Sequence, residues 1–434
     1  MLKRLLLKTV VAHEDEVAPL AWATAYGFCI LFSYYILRAV RDEISAADRG
    51  NLQYLWTAVF VAMLVVVPLY SWAGSRWPRG AFVPLVNRFF IANLLLFYAA
   101  LVLLPESARA WIDRLFYVWA SVFALFVVTV FWGFMVDCFG NAQGRRLFGF
   151  IAVGSSLGAI AGSALTAALA QTLPPFSLLV VACLPLEAAC ACARVLHRRF
   201  GGNVDPADPV RAENRPLAGS AWSGMAMVFR SPYLLGIAGY ILLMTYASTA
   251  LYFMQADLIR AALADRAART ALFASIDLWS NAFTIVLQIW LAARVIRWLG
   301  VGATLAALPV VTGLGFLWLG TTPQLSALIA LQVAYRALRY GLAKPTREVL
   351  YTVLGREEKY KSKAFLDTAI YRGGDLASGW IFTGLKALGL SIGAIALAAA
   401  PLAALWALIA LWLGRRQDRA AKAQQSTQEQ GVQA

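Results

Sequence analysis

The sequence predicts an all-α membrane protein of about twelve transmembrane helices, arranged as two six-helix pseudo-repeats. Three observations predict it. First, 61% of the 434 residues are hydrophobic and only 14% are charged, whereas a soluble domain carries about 25% charged residues. Second, apolar runs long enough to cross a ~30 Å hydrocarbon core, roughly 20 residues each, recur along the whole chain. Third, lysine and arginine are distributed unevenly between alternate loops.

The first set of spans falls near 19–40, 52–73, 84–104, 112–137, 147–169 and 175–196. The second falls near 233–254, 271–293, 302–320, 323–342, 364–385 and 391–413. The third and ninth spans abut short loops, so ten or eleven spans are alternatives. If the N-terminus is cytoplasmic, the inner segments hold 24 of the 38 basic residues and the outer loops hold 7. Positive loops stay inside, so both termini are expected to be cytoplasmic and the number of spans even. The net charge of +15 follows from this topology, because basic inner loops face an anionic leaflet. No basic soluble domain exists to carry nucleic acid.

The topology is testable. Cysteines placed at Ser75 and Asp208, in a background lacking the native cysteines, are expected to resist impermeant thiol reagents in intact cells. One at Ala264 is expected to react. The reverse pattern would invert the assignment.

The five cysteines, Cys29, Cys138, Cys183, Cys190 and Cys192, lie in or beside spans. They read as small hydrophobes, with no disulfide or metal framework. Met1–Val11 followed by the acidic His13–Glu16 stretch lacks a cleavable signal pattern, which points to a bacterial inner membrane. No G-x-x-x-x-G-K-[ST] motif occurs, which excludes a self-contained ATP-driven pump. His13 and His197 both lie outside the spans, so a histidine-based membrane hydrolase lacks its base. No catalytic residue, cofactor or metal is expected.

The organisation is 1–196 as the first half, 197–232 as a cytoplasmic linker and 233–434 as the second half with a polar C-terminal tail. The linker carries Gly201, Gly202, Pro206, Pro209 and Pro216, a composition that breaks regular structure. Trp222–Phe229 reads as a short interfacial helix. The halves echo each other at Arg76-Trp77-Pro78-Arg79 and Arg297-Trp298-Leu299-Gly300, both short inner turns. A parallel repeat of two six-helix halves is the pattern of the major facilitator architecture. Spans nine and twelve carry no charge in their cores. Spans one, seven, eight, ten and eleven are polar, as cavity-lining helices of that architecture would be. Arg88 and Glu187, on spans three and six, are exceptions.

Seven arginines lie in or at the edge of the apolar runs: Arg38, Arg88, Arg114, Arg194, Arg336, Arg339 and Arg372. A charge facing lipid costs at least ~2.5–3.5 kcal/mol. Such residues therefore face protein or water, or snorkel to the interface. The arrangement points to a polar pathway, hence transport by alternating access. Tyr34, Arg38, Arg41 and Asp42 share one face of span one by their i, i+4, i+7, i+8 spacing. They form a candidate anion-binding stripe, or else an outer-end ion pair. Asp277, Asn281, Thr284 and Gln288 make a polar stripe on span eight, in which Asp277 is the pathway candidate. Thr245, Ser248, Thr249 and Tyr252 give span seven a hydrogen-bonding face.

Gln332, Arg336 and Arg339 share a face of span ten. With Asp367 and Asp375 of span eleven they are expected to form a gate or a salt-bridge network. Glu187, a lone acid in mid-span, is the candidate for proton coupling, because desolvation favours its neutral form. The alternative is a structural contact. Gly154, Gly158 and Gly162 on span five read as a close-packing stripe.

Several stretches resemble the ATP:ADP antiporter (nucleotide transporter) family, which is related to the major facilitator superfamily. These are Y-Y-I-L-R-A-V-R-D at 34–42, F-W-G-F-M-V-D at 131–137, G-R-R-L-F-G-F-I-A-V-G at 144–154 and A-F-L-D-T-A-I-Y-R-G-G-D at 364–375. A weaker match, S-P-Y-L-L-G-I at 231–237, opens the second half. The resemblance implies exchange of nucleotides, with basic residues of the first and eleventh helices at the substrate. These correspond to Arg41 and Arg372, where the family has lysine. Arginine keeps the charge and can grip a phosphate bidentately. The acidic residues that ATP/ADP-exchanging members carry in the fourth and seventh helices have no counterpart in 115–130 or 235–253.

The expected function is secondary transport of an anion held between the halves, nucleotide or another phosphorylated metabolite first. The alternatives are a proton-coupled carrier of a different organic solute, and a non-transporting sensor or assembly factor on a transporter fold. The expected partners are the lipid bilayer and the small anion. A monomer is expected.

Overall fold

The computed structural model describes residues 16–76, 79–139, 141–174, 176–200 and 221–433. The N-terminal segment before Glu16, the Trp77-Pro78 pair of the first inner turn and the glycine- and proline-containing part of the linker lie outside the described residues. The helices of the first half are α1 (Val17–Ala47), α2 (Leu52–Arg76), α3 (Arg79–Leu103), α4 (Glu106–Cys138), α5 (Asn141–Leu169) and α6 (Ser177–Phe200). Next come α7 (Ala221–Arg230), α8 (Pro232–Ala262), α9 (Arg266–Val286), α10 (Ala292–Thr321), α11 (Leu325–Leu338), α12 (Lys344–Leu350), α13 (Arg356–Phe365), α14 (Tyr371–Ala387) and α15 (Ile392–Gln433). The short helix expected at 222–229 is α7.

Ten helices among the described residues are long and apolar enough to cross a membrane. The two further spans read from the sequence, 323–342 and 364–385, are helical but broken. A π-helical turn, Arg339–Ala343, follows α11, and another, Leu366–Ile370, precedes α14. A third, Leu287–Leu291, extends α9. A π turn inserts an extra residue and shifts the side-chain register, which is why such turns collect at functional sites. All three flank residues of the candidate pathway. The inner turn expected at Arg297–Gly300 lies within α10, where Gly300 has φ 76°. That left-handed conformation suits glycine and breaks the helix without a loop.

The chain forms two compact units, one within Met1–Arg215 and Leu263–Asn281, the other within Pro216–Ala262 and Ala282–Ala434. In the first unit α1 packs chiefly on α5 and α6. The glycine stripe explains how closely. A Cβ at Gly154 would run into Thr24, one at Gly158 into the Phe28 carbonyl and one at Gly162 into the Phe32 carbonyl. Small residues let two helix backbones meet in this way. Backbone cannot move aside as a side-chain tip can. Gly158→Ala is therefore expected to destabilise by about 1–3 kcal/mol, the usual cost of overpacking. A lower midpoint of thermal unfolding in detergent would show it, and an unchanged midpoint would mean that α1 and α5 are not held this tightly. In the second unit α10 packs mainly on α15, while α8 packs on α14, α15 and α11.

Candidate functional site

In the first unit the polar residues of α1 meet the first four turns of α9. The Arg38 Nε atom lies 3.3 Å from Asp277 Oδ2 and 3.6 Å from Asp42 Oδ2. Its guanidinium also sits over the Tyr35 ring, 5.4 Å from the centroid. The Tyr35 hydroxyl donates to Asn281 Oδ1 at 3.1 Å. Arg41 donates to Asp42 Oδ1 through Nη2 at 2.7 Å and through Nε at 3.1 Å. Tyr34 stands edge-on to Tyr35 on the same helix. The structure thus brings Tyr34, Arg38, Arg41 and Asp42 of the span-one stripe together with Asp277 of span eight.

A group the sequence reading passed over lies one turn further on. Glu43 is 0% exposed. It accepts from Arg269 Nη2 at 2.6 Å and pairs with Arg266 Nε at 3.0 Å. Arg266 in turn makes a bidentate pair with Asp113 of α4, at 2.9 and 3.0 Å. Four arginines (38, 41, 266 and 269) here face four carboxylates (42, 43, 113 and 277). The cluster is neutral, so in this conformation its arginines are already compensated. The signal that could have found it was present: Arg266 and Arg269, one turn apart, open an apolar span and need acids. Arg114 joins the same end through Asp48, at 2.6 Å.

In the second unit Arg339 opens its π turn and is nearly buried. It donates to Ser248 Oγ at 2.6 Å and to the Tyr371 hydroxyl. The rings of Tyr335, Tyr340 and Tyr371 surround it at 5.4–5.8 Å, a cation–π cage. Asp375 lies within Coulomb reach of Arg339 and Arg372. Arg336 is buried on the neighbouring turn. Beneath them Gln332 donates to Gln255 at 2.7 Å, both side chains buried. Asp367 pairs with Arg347 at 3.2 Å, an arginine the sequence reading did not single out. Arg372 is half-buried and makes no hydrogen bond or close ion pair with another described residue. Two arginines, at 339 and 372, thus stand against the carboxylate of Asp375. This is the excess positive charge an anion would neutralise. The polar stripe of span eight divides: Asp277 and Asn281 serve the first cluster, while Gln288 donates to the Tyr340 carbonyl at 3.1 Å in the second unit.

Two motifs take on other roles. Trp132, Gly133, Val136 and Asp137 of the stretch at 131–137 line a cleft of about 530 Å³ together with Val128 and Thr129. Arg146, of the stretch at 144–154, pairs with Glu16 at 2.9 Å, fastening the start of α1 to α5. Glu187 is not a lone acid. It pairs with Arg88 of α3 at 2.7 Å and with Arg194 of its own helix at 3.2 Å. The coupling reading assumed an acid without a charged neighbour, and the two arginines remove that premise. Among the described residues no group of three or more His, Cys, Asp or Glu side chains could hold a metal ion.

No protein-family model matches the chain. Curated relatives include ADP,ATP carrier protein 1 of Chlamydia trachomatis, 23% identical, covering 92% of this chain and 88% of that protein. The ADP,ATP carrier protein 1 of Chlamydia muridarum is 22% identical over the same shares. Among solved structures, a POT family transporter bound to a thioalcohol-conjugated peptide superposes with a TM-score of 0.63 at 13% identity, over 92% of this chain and 96% of its own. The inward-open xylose transporter XylE of E. coli gives 0.63 at 10% identity, over 91% and 95%. The resemblance carried by the motifs thus extends over nearly the whole chain, on a fold shared with these solved transporters. The chain thus has the helices of an integral membrane protein on the major facilitator fold, and it is similar over nearly its whole length to the ADP,ATP carrier proteins.

Proposed function

We propose that the protein exchanges nucleotides, or a closely similar phosphorylated anion, across the membrane by alternating access. The observation that carries this reading is Arg372. It is a cation with no close fixed partner, set beside Arg339 in a surplus of positive charge, within the stretch that resembles the nucleotide transporters. Arginine pairs grip phosphate through charge-assisted hydrogen bonds, each worth roughly 1.5–3 kcal/mol. Arg38 and Arg41 supply a second set, in which Arg38 can exchange its partner on α9, Asp277, for the substrate while Asp42 stays beside both arginines on α1. Trp132 and Asp137 in the α4 cleft offer an aromatic face and an acceptor, the two features a nucleobase ring and its exocyclic amine would meet. The transporter lies in a bacterial inner membrane with both termini in the cytoplasm and works as a monomer.

The test is a thermal-shift screen of the purified protein against nucleotides and phosphorylated metabolites, followed by counterflow in liposomes. A ligand that binds only the native state adds about 2.7 kcal/mol at a hundredfold excess over Kd. Stabilisation by ADP or ATP, with uptake that requires nucleotide on the opposite side, is expected. Stabilisation by a non-nucleotide phosphate compound alone would move the substrate class. Ligand binding without any flux would leave a sensor.

A further inference from the structure

The Arg88–Glu187–Arg194 triad lies outside both polar clusters. Its side chains are exposed by 53%, 46% and 41%. Its neighbours on the same helices, Leu85, Phe89 and Leu184, are exposed by 51%, 60% and 72%. Exposed leucine and phenylalanine on a spanning helix meet acyl chains, so the triad stands at the lipid boundary. Arg88 holds both carboxylate oxygens of Glu187, at 2.7 and 3.3 Å. Arg194 receives only a shared oxygen at 3.2 Å, and its Nε donates to the Cys190 carbonyl at 3.3 Å. Two guanidiniums against one carboxylate leave one positive charge facing lipid, a costly arrangement. Arg198, one turn beyond Arg194, is exposed as well.

We propose that Arg194 and Arg198 bind the phosphate of an anionic phospholipid, with Glu187 and Arg88 holding Arg194 in position. Depth fits this occupant. Arg194 stands six residues before the end of α6 at Phe200, about 9 Å along the axis, and a long arginine stem reaches from there to the headgroup layer. Charge fits as well: anionic headgroups are the counter-ions that the membrane itself supplies in this layer, and basic pockets between helices select them. The proposal is independent of what the transporter carries.

The full-length protein, purified with equal amounts of phosphatidylglycerol and phosphatidylcholine, is examined by native mass spectrometry for retained lipid. Phosphatidylglycerol is expected to be retained in preference. Arg194→Gln with Arg198→Gln should reduce that retention about fivefold per arginine removed, leaving phosphatidylcholine unchanged. If the Gln pair unfolds, Arg194→Lys with Arg198→Lys takes its place; it keeps the charges and should retain phosphatidylglycerol. Added inorganic phosphate should not displace the lipid. Equal retention of the two lipids by the native protein would overturn the site. So would undiminished retention by a folded Gln pair, loss in the Lys pair, or displacement by phosphate. Efficient self-crosslinking of a Phe89→Cys variant in native membranes would do the same, by assigning this face to a second copy of the chain.

Discussion

Replacing Arg372 by Gln is expected to weaken binding of the anionic ligand about tenfold or more, since each 1.4 kcal/mol is a factor of ten and a charge-assisted hydrogen bond to phosphate exceeds that. Thermal stability without ligand should change little, because no close partner in the protein is abandoned. Arg372→Lys should keep part of the affinity, having the charge but not the fork. Arg41→Gln should also lose affinity, yet with a second cost. Asp42 is 1% exposed and takes both of its Arg41 contacts through one oxygen, so removal of the guanidinium leaves a buried carboxylate short of a partner. Arg339→Gln marks the other extreme. With Ser248 and three tyrosines around it, it should lose stability first, with affinity per folded molecule less affected. Calorimetric titration of each variant with the ligand found in the screen separates these outcomes. Normal binding by both Arg41→Gln and Arg372→Gln would remove phosphate recognition from the proposal.

The second large effect concerns Glu43. Glu43→Gln takes the carboxylate from Arg269 and leaves Arg266 to Asp113 alone, and breaking one partner of a buried pair costs about 3–5 kcal/mol. The unfolding midpoint should fall sharply. Arg269→Gln should also be destabilising, by less, because Arg266 still serves the carboxylate. The double variant should be better than the sum of the singles, with a coupling above the ~0.3–0.5 kcal/mol scatter of independent sites. Strict additivity would mean that the contact contributes nothing specific. The pair also bears on transport. If the start of α9 must leave α1 during the cycle, the double variant should change the rate of exchange more than the affinity. Exchange kinetics that follow the native protein would make the cluster purely structural.

The candidate site was legible in the sequence to unequal degrees. Arg38 and Arg41 could be placed on one helical face with Tyr34 and Asp42 because helical periodicity is local information. Their connection to Asp277 spans more than two hundred residues, and no spacing rule reaches that far. Asp367 and Asp375 were expected as partners of Arg336 and Arg339; Asp375 stands near Arg339, whereas Asp367 pairs with Arg347. Which arginine each meets depends on the π turns at 339–343 and 366–370. These rotate the following side chains relative to an unbroken helix, and nothing in composition marks them.

Hydrophobicity, run length and the lysine–arginine bias were enough on their own to determine an all-α membrane protein with two similar halves. The bilayer imposes that outcome: without water, backbone groups must be satisfied within each helix, and each helix must match a fixed thickness. The close-packed glycine stripe on α5 was equally local, since small residues every four positions present one face. Only the tertiary structure decided which charges are already neutralised. It showed Glu43 between Arg266 and Arg269, Glu187 between Arg88 and Arg194, and Arg372 without a close partner. Charge compensation is a matter of a few ångströms between residues distant in the chain, and helix packing alone sets that distance.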